Sequence, residues 1–215
     1  MLRFSLFGFP IAVHWMFWVN TALLGGGLNA STPRQMQMLL LWVAAAFLSV
    51  LIHELGHTFM QRRFGARAQI LLYAFGGLAI PDRAFRRGQD IVVSLAGPIV
   101  QIAVGVGARL LLGQSTGDAW PVQVFLDSFA TVSIFWGVLN LAPIHPLDGG
   151  HVLLGVLGPR NARIAFITGM FCAVALAVWM GTMGSIFSTI FFGMLAYENF
   201  QRSRGIDSGS VLHPQ

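Results

Sequence analysis

Residues 36–62 read MQMLLLWVAAAFLSVLIHELGHTFMQR, and this stretch decides the fold. It is longer than the roughly 20 apolar residues that an α-helix needs to cross a bilayer core of about 30 Å. Near its carboxyl end, two histidines and a glutamate interrupt the apolar side chains. The stretch therefore predicts a membrane-spanning helix that carries ionisable groups.

The composition of the whole chain extends this prediction to an integral membrane protein. Of the 215 residues, 55% are hydrophobic and 10% are charged, whereas about 25% of the residues in a soluble domain are charged. The net charge of +5 comes from arginines scattered between apolar segments. This pattern is typical of membrane orientation and predicts no nucleic-acid partner. The single cysteine, Cys172, has no partner for a disulfide.

Six spanning helices are predicted, which gives an all-α polytopic membrane protein. Their expected bounds are residues 9–28, 36–62, 91–113, 122–144, 162–180 and 184–200. Residues 1–200 are expected to form one membrane-embedded domain, and residues 201–215 a polar cytoplasmic tail. No room remains for a separate soluble domain.

The arginines predict the orientation of these helices. Six crossings place both termini and the second and fourth connections on one side, which then holds eleven arginines against two, Arg34 and Arg109, on the other. Because cytoplasmic segments carry the excess of positive charge, we expect both termini to be cytoplasmic.

A short apolar segment, Gln69 to Ile80, follows the second helix. It is rich in residues that favour strands, and it carries Gly76 and Gly77 at its middle. Twelve residues are too few for a spanning helix. Because non-helical backbone at membrane depth is tolerated where protein or a water-filled cavity satisfies it, a re-entrant or interfacial β-hairpin is predicted.

The polar residues of the second helix form the pattern His53-Glu54-Leu55-Gly56-His57. Histidines at i and i+4 lie on one helix face, where both can reach one metal ion. Glu54 is then placed to exchange a proton with a metal-activated water. A polar cluster without metal is the alternative, but ionisable groups inside a membrane are costly unless they have a function.

A catalytic zinc site needs a third protein ligand and an open position for water. The chain offers Asp148, just past the fourth helix, with His145 and His151 three residues away on either side. Asp148 is alternatively a turn residue before Gly149 and Gly150. The predicted topology brings His57 and Asp148 to similar depths near the cytoplasmic side.

With these two motifs, the chain resembles the site-2 protease family of intramembrane zinc metalloproteases, in its compact form without a PDZ or CBS domain. His53-Glu54-Leu55-Gly56-His57 matches the first zinc motif of the family, and Asn140 through Leu147-Asp148-Gly149 matches the second. Family members commonly carry Gly-Pro followed by an asparagine in the third helix. Here Gly97-Pro98 is followed by Gln101.

The resemblance implies that the chain is a multi-pass protease of a prokaryotic cell membrane, with one zinc ion per chain. Its substrate would be a membrane protein that is cut within or near a transmembrane segment. The implied zinc ligands are His53, His57 and Asp148. Glu54 would activate the water, and Asn140 would bind substrate or the developing oxyanion, or else hydrogen-bond between helices.

The hairpin is the expected substrate-binding element, because an exposed strand edge can pair with an extended peptide. Its candidate residues are Leu71, Leu72, Gly76 and Gly77.

Three histidines outside the motif keep two interpretations each. His14 is either a functional residue or an interfacial side chain bonded to backbone. His145 and His151 are either loop and helix-start residues or groups that gate or bind metal. Asp127 is expected to serve a helix terminus or an interface.

Two other functions use the same residues. A metal-ion transporter would hold a transit site at the same ligands, but no inverted repeat relates the two halves of the sequence. A catalytically inactive homologue would bind transmembrane helices without cutting them, although the set of His53, Glu54, His57 and Asp148 is complete.

Overall fold

The computed structural model describes residues 1–74, 76–114 and 119–205. It is mostly helical, with a small four-stranded sheet. In chain order the elements are β1 (Leu2–Leu6), β2 (Phe9–Val13), α1 (Trp15–Leu24), α2 (Pro33–Arg63), β3 (Ala68–Tyr73), β4 (Gly76–Pro81), α3 (Arg87–Gln114), α4 (Trp120–Asn140), α5 (Asp148–Leu157), α6 (Ala162–Thr182) and α7 (Ile186–Gly205).

Among the described residues, four helices are long and apolar enough to cross a membrane, by length and composition: Pro33–Arg63, Arg87–Gly113, Trp120–Asn140 and Pro159–Thr182. They correspond to the second to fifth predicted spans. The last predicted span corresponds to α7, which carries charges from Glu198 onwards. Because α7 continues to Gly205, the first residues of the predicted tail are helical. Residues 206–215 lie outside the described part of the chain.

The prediction of a first helix over residues 9–28 was wrong. The segment begins with the strand β2, and only Trp15–Leu24 is helical, a length of about 15 Å. Phe9, Ile11 and Val13 are buried on one side of this strand. Burial of every second residue is the pattern of a strand. Apolar residues fill the other positions as well, so the sequence alone does not distinguish this strand from a helix.

The fourth helix ends four residues before its predicted bound. We expected it at residue 144, but α4 ends at Asn140 and a loop leads to the short helix α5. Pro143 explains the early end, because a proline disfavours helical backbone at the residue before it. Asp148 therefore begins a helix of its own.

The sheet has the order β1-β2-β3-β4. β3 pairs with β2 in parallel and with β4 in an antiparallel hairpin, over the segment where a hairpin was predicted. β3 is consequently an inner strand, whereas β4 lies at an edge of the sheet. The buried face of the sheet packs in a core of residues from β2, β3, α1 and α2: Phe9, Ile11, Val13, Phe17, Val50, Leu51, Leu55, Ile70 and Leu72.

Helix α2 has defined ends, which fix the position of its polar residues. Thr32 and Gln35 form a reciprocal capping box, and Pro33 occupies the first turn, where no hydrogen bond needs its missing N–H. After the helix, Gly65 takes a φ of 80°, a left-handed conformation that favours glycine. The chain then turns directly into β3.

The chain divides into two compact units. The first consists of Met1–Ala84 and Ala96–Val138, and the second of Phe85–Leu95 and the chain from Leu139 onwards. In the second unit, α6 and α7 pack along each other around a core that includes Ile144, Ala173 and Phe192. The first unit contains His53, Glu54 and His57, and the second contains Asn140 and Asp148.

Candidate metal centre

The three polar residues of the α2 motif are all buried. The exposed fractions of His53, Glu54 and His57 are 6%, 3% and 6%. The two rings stand edge to face, and their Nε2 atoms lie 3.0 Å apart. Because two zinc–nitrogen bonds of about 2.0–2.1 Å can span such a separation, the pair fits one zinc ion.

Gln101 of α3 lies behind His53. Its Oε1 is 2.8 Å from Nδ1 of His53, and its Nε2 donates to the Ser49 hydroxyl at 2.9 Å. The Ser49 hydroxyl in turn lies 2.8 Å from that of Ser133 on α4. Gln101, Ser49 and Ser133 are fully buried. A proton on Nδ1 of His53 donates to Gln101, and this leaves Nε2 unprotonated for a metal.

Replacing Gln101 should weaken metal binding without touching a ligand. Gln101→Leu removes the acceptor that fixes the tautomer of His53 and leaves the Ser49 hydroxyl without its donor. We expect zinc affinity to fall about 10- to 100-fold, as for other residues that orient a ligand. Titration with a competing chelator measures the change. Gln123→Leu, a change of an exposed residue of α4, is the control, and equal affinities in the two variants would contradict this role.

Two glycines allow close packing around the histidine motif. A Cβ on Gly56 would lie 2.7 Å from the carbonyl oxygen of Ala96, so α2 and α3 approach each other at this point. A Cβ on Gly97 would overlap the His57 ring, with Nε2 as its nearest atom. The His57 ring can therefore occupy its position only because residue 97 has no side chain.

The edge strand β4 lies directly against Glu54. A Cβ on Gly77 would overlap the side chain of Glu54, so only a glycine allows the strand to pass this close to the carboxylate. Leu71 and Leu72 lie on the inner strand β3 instead, where Leu72 is fully buried. Within the hairpin, the backbone edge that can accept another strand therefore belongs to β4, the strand with Gly76 and Gly77.

Adding a methyl group to each of these two glycines should have different effects. Gly77→Ala pushes β4 or the Glu54 carboxylate out of place, and we expect the protease activity that the sequence predicts to fall at least tenfold. Gly76→Ala, where a Cβ would meet nothing within 4 Å, is the matched control and should keep activity near that of the wild type. Initial rates on one substrate measure both. Similar rates for the two variants would show that the Gly77 contact is unimportant.

In the second unit, Asp148 occupies the first position of α5 and is half-buried. A Cβ on Gly149 would overlap the carbonyl oxygens of Leu141 and Ala142, so the loop after α4 packs tightly on the start of this helix. Asn140, the last residue of α4, is also half-buried. The local fold thus holds the Asp148 carboxylate at a constrained turn.

Asn199 of α7 fixes the middle of the same loop. Its Nδ2 donates to the backbone oxygen of His145 at 2.6 Å, and its Oδ1 accepts from the backbone nitrogen of that residue at 3.3 Å. Asn199 is fully buried. The loop that precedes Asp148 is therefore attached to α7 by both ends of one amide.

The other three histidines in the described part of the chain have structural contacts. His14 accepts a hydrogen bond from the backbone of Met16 and caps α1, so it is a side chain bonded to backbone. The rings of His145 and His151 lie 5.0 Å apart. Burial, together with the charges of Arg202 and His151, lowers the pKa of His145 to about 3. His145 is consequently neutral in neutral solution.

Sequence reasoning left the role of Gln101 open and missed Ser49, Ser133, Asn199 and Gln61. A polar residue inside an apolar helix is the only signal that these positions give. It does not reveal which helix faces it. The Asp127 side chain pairs with Arg109 at 2.6 Å, which agrees with an interfacial role.

Known proteins resemble this chain in sequence. The model of peptidase family M50 matches residues 112–180. Over 73% of its own length, the chain is 29% identical to a zinc metalloprotease of Methanocaldococcus jannaschii. Over 66% of its own length, it is 33% identical to stage IV sporulation protein FB of Bacillus subtilis. It spans 45% and 46% of the lengths of these two relatives.

The fold is similar to that of a solved structure, the site-2 protease from Methanocaldococcus jannaschii. The TM-score is 0.66, and the match covers 100% of this chain and 97% of that one. The sequence identity is 22%, so this likeness concerns the fold.

Proposed function

We propose that the chain is an intramembrane zinc metalloprotease. The premise is that it belongs to peptidase family M50, the site-2 proteases. The observation that carries this proposal is the buried group of His53, Glu54 and His57 on a helix long and apolar enough to cross a membrane. Burial of three ionisable groups in such a helix is costly unless they bind a metal or face a polar cavity.

The proposed zinc ligands are His53, His57 and Asp148, with one ion per chain. These three side chains could hold a metal ion. His53 and His57 are buried, and Asp148 is half-buried. Two imidazoles and one carboxylate form a ligand set of the catalytic zinc type, which leaves a fourth position open. Zinc supplies a Lewis acid that polarises a carbonyl group and lowers the pKa of water to about 7.

The residues of the chain supply the rest of the chemistry. Glu54 accepts a proton from the attacking water and delivers it to the leaving amine. Because Glu54 is only 3% exposed, bulk water does not compete for this proton. Gln101 holds His53 in the required tautomer, and we propose that Asn140 hydrogen-bonds substrate or the developing oxyanion.

The topology proposed here is multi-pass, with both termini in the cytoplasm. Four helices have the length and composition to cross. The proposal adds α7 as the last crossing, and the segment formed by β2 and α1 together as the first, because α1 alone is too short to span the bilayer. The connections 64–86 and 141–161 lie on the same side whether or not α1 crosses. Together with the adjoining helix ends they contain eight arginines: Arg62, Arg63, Arg67, Arg83, Arg86, Arg87, Arg160 and Arg163. That excess favours the cytoplasm for this side.

The proposed substrate is a membrane protein that is cut within or near a transmembrane segment, in regulated intramembrane proteolysis of a prokaryotic cell. A helix in this segment must unwind before its peptide bonds are accessible. The hairpin β3–β4, in a re-entrant or interfacial position, offers the edge of β4 to the unwound segment by β-pairing. Contact between β4 and Glu54 supports cleavage beside this edge.

Removal of the metal tests the proposal. Treatment of purified protein with a strong zinc chelator should abolish cleavage of a reconstituted single-span substrate, and added zinc should restore it. The rate of product formation is the measurement. Metal flux across the liposome membrane without any cleavage would indicate a transporter. Substrate binding without cleavage in the zinc-loaded protein would indicate an inactive homologue.

A further inference from the structure

The open edge of β4 has a defined set of backbone groups. In an antiparallel pair, residues alternate between those that bond to the neighbouring strand and those that point away from it. Pro81 pairs with Ala68 but has no N–H, and a proline is tolerated where its nitrogen faces away from the partner strand. By alternation, Ala79 and Gly77 also present their N–H and C=O groups to the open side.

One of these outward groups is already occupied. The Nε2 atom of Gln61 donates to the backbone oxygen of Ala79 at 3.2 Å. Gln61 lies on α2 seven residues after Glu54, a spacing that places both residues on one helix face. Gln61 thus reaches β4 at Ala79, as Glu54 meets the same strand at Gly77.

The other end of the Gln61 amide lacks a partner. Gln61 is 4% exposed, and its Oε1 is buried without a hydrogen bond to any described residue. Buried acceptors are nearly always satisfied, so such an oxygen requires an explanation. A hydrogen-bond donor on a bound ligand would explain it. The ligand that the proposed function brings to this edge is an extended peptide, whose free groups include backbone N–H donors.

We propose that Gln61 is a substrate-binding residue that extends the edge of β4. Its Nε2 stays on the oxygen of Ala79, and its Oε1 accepts a backbone N–H from the substrate segment. The side-chain amide thereby stands in for a direct bond between Ala79 and the substrate, because an amide offers a donor at one end and an acceptor at the other. The strand position next to Gly77, beside Glu54, is left for direct pairing.

This inference rests on the proposed function and concerns the register of the substrate. A peptide bonded to Gln61 at one residue and to Gly77 about two residues further along is held in one alignment relative to Glu54. Gln61 therefore determines which peptide bond lies next to the carboxylate.

Binding of backbone-methylated peptides tests the role of Gln61. The probe is a succinyl hydroxamate followed by three leucines and a C-terminal amide, together with analogues that carry one N-methyl group on each peptide nitrogen in turn. Calorimetry gives their affinities for the zinc-loaded protein in detergent. Methylation of the nitrogen that faces Gln61 should lower the affinity of the wild type about three- to tenfold more than it lowers the affinity of Gln61→Met. This difference is the one expected for a single hydrogen bond.

Two further variants complete the test. Gln69→Met, on an exposed residue of β3, should keep the wild-type pattern of losses. Gln61→Asn keeps a buried amide but shortens the side chain by one methylene. The position-specific loss of affinity should therefore disappear in this variant too. It serves as the test if Gln61→Met does not fold. Identical losses in the wild type and the Gln61 variants would overturn the inference, and so would a parent hydroxamate that does not bind.

The failures of the two proposals are distinguishable. If the wild type holds zinc and cleaves substrate but shows no coupling between Gln61 and any peptide nitrogen, only the role of Gln61 is contradicted. If the wild type holds no zinc and cleaves nothing, the proposed function itself fails.

Discussion

Glu54→Gln should abolish proteolysis while the protein keeps about one zinc ion per chain. The amide of glutamine has nearly the shape of the carboxylate but does not accept a proton from water at neutral pH. Since His53 and His57 remain unchanged, the metal is retained. We expect the rate of substrate cleavage to fall by 10³-fold or more, because both proton transfers depend on this one group. Product formation and zinc content are measured on the same preparation.

The matched control for this variant is Glu198→Gln. Glu198 lies on α7, is ion-paired with Arg202 at 2.8 Å, and is partly exposed. Its replacement should leave both cleavage and zinc near the wild-type values. Persistent cleavage by Glu54→Gln would remove Glu54 from the mechanism, and loss of zinc from this variant would place Glu54 among the ligands instead.

Asp148→Ala should lose zinc altogether, and activity with it. Removing one of three protein ligands takes away a charge as well as a bond, so we expect zinc content after purification to fall below one tenth of the wild-type value. The measurement is elemental analysis of protein purified without chelators. His53→Ala should behave in the same way.

Asp127→Ala is the control for the loss of an acidic residue. Asp127 pairs with Arg109 on exposed surface and belongs to no predicted metal site. The Asp127→Ala variant should retain about one zinc ion per chain. If Asp148→Ala also retained zinc, the third ligand would have to be another residue, and His145 and His151 would be the next to test.

The sequence predicts the helices that carry chemistry better than it predicts the first elements. The bounds of α2 follow from its length, its capping residues and the arginines at its end. The first span was mispredicted because residues 9–28 are apolar throughout. Their division into β2 and α1 depends on pairing between Val13 and Leu72, which are 59 positions apart. Tertiary contacts of this kind leave no periodic signal in a single sequence.

The candidate site shows the same distinction. His53, Glu54 and His57 are recognisable from local spacing, because one helix places them together. Gln101 and Gln61 are not, because the partner of Gln101 lies on α2 and the partner of Gln61 lies on β4, in other segments of the chain. Their roles follow from which buried amide atoms are bonded, and this requires the fold.

The central claim, that this chain hydrolyses peptide bonds within membrane-embedded segments, is tested most directly by mapping cleavage in a bilayer. Zinc-loaded wild-type protein is reconstituted with a panel of single-span membrane proteins, and the products are measured by intact mass. We predict at least one substrate with new termini inside or at the edge of its apolar segment, absent with Glu54→Gln. Products that arise equally with Glu54→Gln, or that end only in soluble regions, would contradict the claim.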